Sequence, residues 1–253
     1  MKYKLTEETL TLENGKVLHR IQALKDFADV KAGDLGGWIE SEFNLSQEGN
    51  CWVYDEAQVF EFARVVHNAR VGYYSKAFRR ASITGNAIIR DYAEVYGCAV
   101  VGEYARVVGS AHIFDNACIL GNAFIAGSAR VYSWAIVKGN AYIKGYSRIH
   151  EYAIVKEESC IHGNVEVKGG ITIKGSADLY GDAIASSMGD YMVFHNTWSS
   201  GRFFTWTKSN NMWKVGCFYG TGKELIKKAY KDSQRSGDCY KACVELVEKL
   251  NLA

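Results

Sequence analysis

Histidine, arginine and aromatic residues recur at a spacing of 18 in the middle of the chain. Two such series run side by side, offset by two residues: His112, Arg130 and Arg148, and Phe114, Tyr132 and His150. Guanidinium groups bind phosphates through paired hydrogen bonds, and aromatic rings stack on nucleobases. If the fold places residues 18 apart above one another, these side chains can hold a nucleotide-like ligand.

A second mixture of rings and cations lies near the C-terminus. Its members are His195, Arg202, Trp206, Lys208 and Lys214. This set also suits a phosphorylated aromatic ligand. A small domain with polar strand faces has a similar composition, so the pattern alone leaves both interpretations open.

Motifs of common enzyme classes are missing from the sequence, which has no GxSxG, HExxH or P-loop pattern. His67, His112, His150 and His162 have no obvious partner, and an isolated surface histidine is more often solvated than catalytic. We therefore predict no catalytic residue, no metal site and no cofactor, and we favour a binding protein over an enzyme.

A six-residue repeat positions the first set of residues. It spans residues 53–184 as 22 hexads without an insertion or deletion. The first position is Val, Ile or Leu in 21 hexads, and the fifth is Ala or Ser in 20. A hexad period predicts a parallel β-helix, with the branched residue inside and the small residue at a tight turn. The third and fourth positions form a corner that needs residues tolerant of positive φ.

Three hexads make one coil of this β-helix, so residues 18 apart should lie above one another. Stacked strands are roughly 4.8 Å apart, and about seven coils therefore predict a rod of roughly 35 Å. A β-sandwich is the disfavoured alternative, because its strands and loops vary in length.

The repeat resembles the [LIV]-x-x-x-[STA]-x motif of the hexapeptide-repeat family, which implies a left-handed β-helix. This resemblance is specific for fold and weak for function, since one fold hosts many activities. It also implies homotrimers and, as one alternative, acyltransferase activity. Those enzymes place a catalytic histidine on an extruded loop or at a subunit boundary, and the 22 hexads contain no such loop. The γ-class carbonic anhydrases need a histidine pair four residues apart, which this chain lacks.

The β-helix places a column of aromatic residues on one outer face. The column consists of Phe60, Phe78, Tyr96, Phe114 and Tyr132. Rings that point away from the core are unusual on a solvated face, and burial between subunits of a homo-oligomer explains them. The more specific alternative is a ligand cleft at a subunit boundary. The two explanations are compatible, since such clefts form at interfaces.

The two ends of the chain differ from the repeat. Residues 1–52 predict an N-terminal cap made of a hairpin around Asn14-Gly15 and the first coil. Residues 185–253 predict a small α+β domain in a chain that is mainly β. We expect three strands there, in segments 191–194, 202–207 and 212–219. Two helices follow, the first with a capping box at Thr221 and Glu224 and the second beginning at Ser236.

Composition sets limits on partners and location. The 253 residues carry a net charge of +2, which argues against binding long nucleic acids, and no apolar run is long enough to span a membrane. The seven cysteines are scattered without a CxxC pair, so we expect a reduced, cytoplasmic protein.

Segments outside the repeat carry a second resemblance. Residues 20–27, 33–41, 44–54 and 216–220 look like those of phage and prophage hexapeptide-repeat proteins, which are described loosely as polymer-forming or transferase-like. Phages encode proteins that sequester the nucleotide signals of bacterial immunity, and sequestration needs pockets but no catalysis. The resemblance thus implies an anti-defence protein in the host cytoplasm that sequesters a nucleotide-like ligand. The alternatives are a hexapeptide-repeat acyltransferase and a structural rod that binds a host partner.

Overall fold

A computed structural model describes residues 1–251. These residues form a left-handed parallel β-helix of about eight turns, with a β-hairpin at one end and a small antiparallel sheet with two helices at the other. The predicted fold class is therefore confirmed. No helix within the described residues has the length and apolar composition that crossing a bilayer requires.

The β-helix has three faces, each a stack of short parallel strands. The aromatic face comprises Leu35–Ile39, Gln58–Val59, Lys76–Ala77, Glu94–Val95, His112–Ile113, Arg130–Val131, Arg148–Ile149, Glu166–Val167 and Ile184–Ala185. The apolar face comprises Arg64–Val65, Ser82–Ile83, Val100–Val101, Cys118–Ile119, Ile136–Val137, Ile154–Val155 and Thr172–Ile173. The third face comprises Trp52–Val53, Arg70–Val71, Ile88–Ile89, Arg106–Val107, Phe124–Ile125, Tyr142–Ile143, Cys160–Ile161 and Asp178–Leu179.

Equivalent positions of the hexads have the same location in every coil. The first and fifth positions fill the interior, as Ile113 and Ala117 do at 0% exposure. The sixth and second positions flank them on the outside, as His112 and Phe114 do. Each residue pairs with the one 18 positions later, for example His112 with Arg130. The predicted stacking is therefore confirmed, and it sets the columns of outer side chains.

The third position of each hexad has a positive φ in all 22 repeats, and in half of them the residue is not glycine. Several of these are acidic, and their carboxylates accept a backbone N–H from the next coil. Glu103 Oε2 lies 2.7 Å from the Gly121 nitrogen, and Glu157 Oε2 lies 2.7 Å from the Gly175 nitrogen. This hydrogen bond offsets the cost of a left-handed backbone conformation in a residue with a side chain.

The hexads make about seven coils, and one further coil precedes them, which gives about eight turns in all. Leu35–Ile39 pairs in parallel with Gln58–Val59, and Leu45 forms a parallel bridge with Val65. Residues 35–52 depart from the motif because they close the end of the β-helix. Trp52 is 1% exposed there, with the rings of Tyr3 and Phe27 edge-on against it.

The N-terminal hairpin extends the sheet of the aromatic face. Its strands, Tyr3–Thr11 and Val17–Ala23, are antiparallel, and the second pairs with Leu35–Ile39. The chain reverses at Gly15, which has φ 81°, as the Asn14-Gly15 signal predicts. Leu18 packs against Phe60, so the hairpin covers the top of the aromatic column.

The C-terminal domain has four antiparallel strands, one more than predicted. They are Tyr191–His195, Phe203–Thr207, Met212–Val215 and Phe218–Gly220. The expected third strand is a hairpin, because Gly216 adopts φ 56° and turns the chain.

Two helices complete this domain. Helix α1 spans Gly222–Asp232 with the predicted capping box at Thr221, and α2 spans Gln234–Asn251, beginning two residues before Ser236. They pack on the sheet around a core that includes Phe204, Trp213 and Val244.

The C-terminal sheet closes the last coil through specific hydrogen bonds. The Asp178 nitrogen donates to Thr205 Oγ1 at 2.9 Å, and the Ile184 nitrogen donates to Ser209 Oγ at 2.7 Å. The Tyr191 hydroxyl donates to the Thr172 carbonyl at 3.1 Å. The domain thus satisfies strand groups that an open end would expose.

Candidate ligand groove on the aromatic face

The column of outer rings is continuous along the aromatic face. Successive centroids are 5.1, 4.8, 5.0, 4.8 and 4.7 Å apart along Phe60, Phe78, Tyr96, Phe114, Tyr132 and His150. Interplanar angles are 10° or less, so the rings lie nearly parallel. The stacking includes the imidazole of His150, which therefore belongs to the same column.

Stacking shields much of this column within a single chain. Phe60 is 7% exposed under the hairpin, and the rings from Phe78 to Tyr132 are half-buried. Burial also raises the pKa of the Tyr132 hydroxyl. An oligomer is therefore one explanation for the column, and mutual stacking of the rings is another.

A groove of about 400 Å³ runs beside the column. It is lined by Ser110, His112, Ser128, Arg130, Tyr146 and Arg148. Along the corner that precedes the aromatic face, residues 18 apart are Tyr74, Tyr92, Ser110, Ser128 and Tyr146. Tyr74 and Tyr92 stack at 5.3 Å. The groove is therefore the gap that two serines leave in a ridge of tyrosines.

The groove has a cationic wall. Arg130 is exposed, and none of the described carboxylates lies within 4.0 Å of its guanidinium. His112 Nδ1 lies 3.4 Å from Glu94 Oε2, and Arg148 Nη2 lies 3.4 Å from Glu166 Oε2. Arg130 is thus available for an anion. The structure brings three of the sequence-predicted residues, His112, Arg130 and Arg148, to one groove.

His150 has a carboxylate partner, contrary to the expectation from the sequence. Its Nε2 lies 2.9 Å from Glu166 Oε1, and the imidazole is 12% exposed. Glu166 also contacts Arg148 at 3.4 Å and Lys168 at 3.7 Å. The spacing of 18 between Arg148 and Glu166 was the signal that could have identified this partner.

Glu166 is held in its ionised form. Burial acts to raise its pKa, but the hydrogen bond from His150 and the charges of Lys168 and Arg148 outweigh burial and lower it. An ionised carboxylate accepts the Nε2 proton of His150. In the neutral imidazole this leaves Nδ1 with a lone pair, and Glu151 Oε1 lies 3.9 Å from this nitrogen.

A second histidine–carboxylate pair lies on the third face. His162 Nε2 is 2.6 Å from Asp178 Oδ1, and the ring of Tyr180 lies edge-on at 4.5 Å. Cys160 is on the same strand, but burial raises the pKa of its thiol, which disfavours the reactive thiolate. Residues 1–251 contain no group of three or more His, Cys, Asp or Glu side chains arranged to hold a metal ion.

The candidate residues of the C-terminal domain do not converge on one site. Trp206 is 2% exposed, and its indole N–H donates to Asn211, so it is a core residue. His195 is exposed and stacks on Phe203 at 4.4 Å.

Two of the three cations of this set approach the same turn, since Arg202 Nη1 lies 3.1 Å from where a Cβ of Gly216 would be and Lys214 Nζ donates to the Gly216 carbonyl. Lys214 lies over the ring of Tyr180 at 5.2 Å, and Lys208 is exposed. Arg202 lines a separate cavity. The set is therefore distributed over the surface and the core of the domain.

A known protein matches part of this chain. No family model matches the chain. Over 102 residues the chain is 40% identical to a protein of Escherichia coli (strain K12) named "Uncharacterized acetyltransferase YdcK". The match covers 37% of this chain and 31% of YdcK, so the chain spans about a third of that relative's length. The match gives no support to a phage setting, which stays a prediction.

Proposed function

We propose that this protein is a hexapeptide-repeat acetyltransferase. In this proposal the groove holds the phosphates of acetyl-CoA, and His150 deprotonates the acceptor. The observation that carries the proposal is the carboxylate of Glu166, which contacts both Arg148 of the groove and His150. An anion site and an oriented base are thereby coupled through one side chain. The name of the E. coli relative supports the same reaction class.

His150 acts as the general base in this reaction. Its Nδ1 accepts the proton of an acceptor hydroxyl or amine as the acceptor oxygen or nitrogen attacks the thioester carbonyl. The tetrahedral intermediate then expels the CoA thiolate, which takes the proton back from the imidazolium. Glu166 stabilises the imidazolium and holds the ring in the required tautomer, as a carboxylate does for a catalytic histidine.

The groove supplies binding energy for the donor. Arg130 and Arg148 lie on adjacent strands of the aromatic face and can each bind a phosphate oxygen pair. The rings of Phe114 and Tyr132 lie beside them, and since both faces of each ring are covered by neighbours in the column, the ring edges are what the donor can contact.

The protein acts as a homo-oligomer in this proposal, and a trimer is the form that the family resemblance implies. The groove and the ring column both open on the surface of a single chain. A neighbouring subunit would close them and exclude water, which strengthens the interactions of charged groups.

Sequestration of a nucleotide-like ligand without catalysis is the second candidate. The same cations and rings that suit acetyl-CoA suit any nucleotide, and retention requires no base. This candidate keeps the phage anti-defence setting as its biological context and predicts that the ligand is released unchanged.

One experiment separates the two candidates. Purified protein is incubated with acetyl-CoA, an acceptor panel of amines, amino sugars and alcohols, and cyclic oligonucleotides and cyclic ADP-ribose variants. The filtrate and the heat-released ligand are then analysed by mass spectrometry. An acceptor 42 Da heavier, formed with free CoA, is the result expected for the acetyltransferase. A cyclic nucleotide recovered intact supports sequestration. If no compound is altered and none is retained, the structural rod is favoured.

Variants test the assigned residues in the same assay. His150→Gln should lower the rate of transfer about 100-fold or more, since general bases contribute about 10²–10⁴-fold, with little change in donor binding. Arg130→Gln should weaken acetyl-CoA binding about tenfold or more. His195→Gln and Arg80→Gln are matched controls, because both residues are exposed and lie outside the groove. Unchanged rates and affinities in the first two variants would contradict the assignment.

A further inference from the structure

The C-terminal domain contains a cavity that is separate from the groove of the aromatic face. Its volume is about 270 Å³. It lies between the loop of residues 196–202, the turn of residues 215–218 and both helices. A cavity of this size is slightly smaller than typical small-molecule sites, which occupy about 300–1,000 Å³, so its ligand must be small.

Two buried hydroxyl groups line this cavity without a complete set of partners. Tyr240 is 7% exposed, and its oxygen accepts a hydrogen bond from Asn196 Nδ2 at 2.9 Å. No acceptor for the Tyr240 proton occurs among residues 1–251. Ser236 is also 7% exposed, and its hydroxyl has no hydrogen-bond partner in the same part of the chain. Both hydroxyls therefore have a proton that they can donate to a ligand in the cavity.

The charged residues of the cavity leave one positive charge. Arg202, Lys228 and Asp232 all line it, and none of the three has an ion-pair partner within 4.0 Å among the described residues. Their sum is +1. All three residues are exposed, so water weakens their interactions; a monoanion matches the net charge, whereas a dianion would place a second negative charge beside Asp232.

The remaining wall is apolar. Val215, Phe218, Leu225 and Ala229 line it, and the ammonium of Lys228 lies 5.3 Å from the ring of Phe218. An apolar ligand body can be buried against this wall, at about 25 cal/mol for each Å² removed from water.

We infer that this cavity binds a small organic carboxylate with an apolar body. The carboxylate accepts hydrogen bonds from the Tyr240 and Ser236 hydroxyls and pairs with Arg202 and Lys228. The apolar body packs on Val215 and Leu225. This site is independent of the groove that contains Arg130, and its ligand is a monoanion without phosphate.

Isothermal titration calorimetry with the full chain tests the inference. The probes are three acids, phenylacetate, benzoate and hexanoate, together with the neutral phenylacetamide and the dianionic phenyl phosphate. We expect at least one of the three acids to bind, and phenylacetamide and phenyl phosphate to bind at least tenfold more weakly than it does. Failure of all three acids to bind, or equal binding of phenylacetate and phenylacetamide, would overturn the inference.

Variants localise the site. Arg202→Gln and Lys228→Gln should each weaken binding of the acid about tenfold, and Tyr240→Phe should weaken it several-fold with the helical circular dichroism unchanged. Lys227→Gln is the matched control, since Lys227 neighbours Lys228 but does not line the cavity. Arg130→Gln must leave acid binding unchanged, which separates this site from the groove of the aromatic face.

Discussion

A single carboxylate organises the functional residues of the aromatic face. Glu166 contacts His150, Arg148 and Lys168, and its position is fixed by the strand that follows Arg148 in the stack. Each partner alone would be an ordinary surface residue. Because Arg148 of the cation column and His150 of the ring column both contact Glu166, the two columns form one site.

The ionisation of Glu166 makes a prediction about stability and pH. Its folded-state pKa lies below the ordinary value of 4.5, so ionised Glu166 stabilises the native state above about pH 4.5 and loses this effect as the pH falls further. We expect Glu166→Gln to lower the midpoint of urea unfolding at pH 7. The difference from the natural protein should shrink at pH 3 to 3.5. An equal difference at both values would show that ionisation is irrelevant.

At the scale of elements, each corner of the β-helix has a residue in the left-handed conformation that lies close to the backbone of the next coil. At Gly145, with φ 77°, a Cβ would lie 2.7 Å from the Gly163 oxygen. Corners with acidic residues accept this crowding because the carboxylate gains an N–H from the coil above. Alanine provides no such hydrogen bond.

We therefore expect Gly145→Ala to destabilise the protein by about 1–3 kcal/mol. Gly145→Asp should cost less, since its carboxylate can accept from the Gly163 N–H as other acidic corners do. Gly170→Ala is the control, because no atom lies within 4 Å of its would-be Cβ and its φ is not positive. Urea unfolding measures all three, and equal losses for the alanine variants would contradict this account of the corners.

The ring column makes a second prediction at this scale. Phe114 stacks on Tyr96 and Tyr132, so Phe114→Ala should cost about 2–3 kcal/mol. Phe62→Ala should cost less than about 0.5 kcal/mol, because Phe62 is a corner residue at 67% exposure. Light scattering after gel filtration then distinguishes the two explanations of the column. Dissociation of an oligomer by Phe114→Ala supports an interface, and a stability loss alone supports stacking within the chain.

The hexads were predictable because the same positions are buried in every coil. The first position must be branched and apolar, as Ile113 is, and the fifth must be small, as Ala117 is. The first coil was predictable only as part of the cap and not from the hexad motif, because Trp52 and Leu45 fill an end of the β-helix where the period has no neighbour to match. The turn at Gly216 was missed since a continuous apolar segment does not show where a strand reverses. The spacing of 18 places Glu166 next to Arg148, but the contact between Glu166 and His150 also depends on side-chain rotamers, which the spacing does not determine.

At the scale of the whole molecule, both ends of the β-helix are covered. The N-terminal hairpin and Trp52 close one end, and the C-terminal sheet closes the other through Thr205 and Ser209. The hairpin continues the sheet of the aromatic face, whereas the C-terminal strands form a separate sheet.

Removal of the C-terminal domain should therefore expose an open strand edge. We expect a chain ending at Ala185 to aggregate during purification or gel filtration, because unpaired strand groups recruit other chains. The full chain with Thr205→Val and Ser209→Ala is the milder comparison. It should stay soluble but exchange the Asp178 and Ile184 amide hydrogens faster. A soluble, well-dispersed 1–185 chain would show that the domain is dispensable as a cover.

The unbroken pairing at a distance of 18 residues also constrains how this molecule can change in length. Removing one full turn would shorten the rod by a single layer and leave every later side chain over the neighbour type it has now. Removing one hexad would instead rotate all that follows by a third of a turn, so that Ile136 and Ile154 would enter the positions that Arg130 and Arg148 occupy on the aromatic face. Viable insertions and deletions should therefore come in units of 18 residues, so the length of the rod can change only by whole coils.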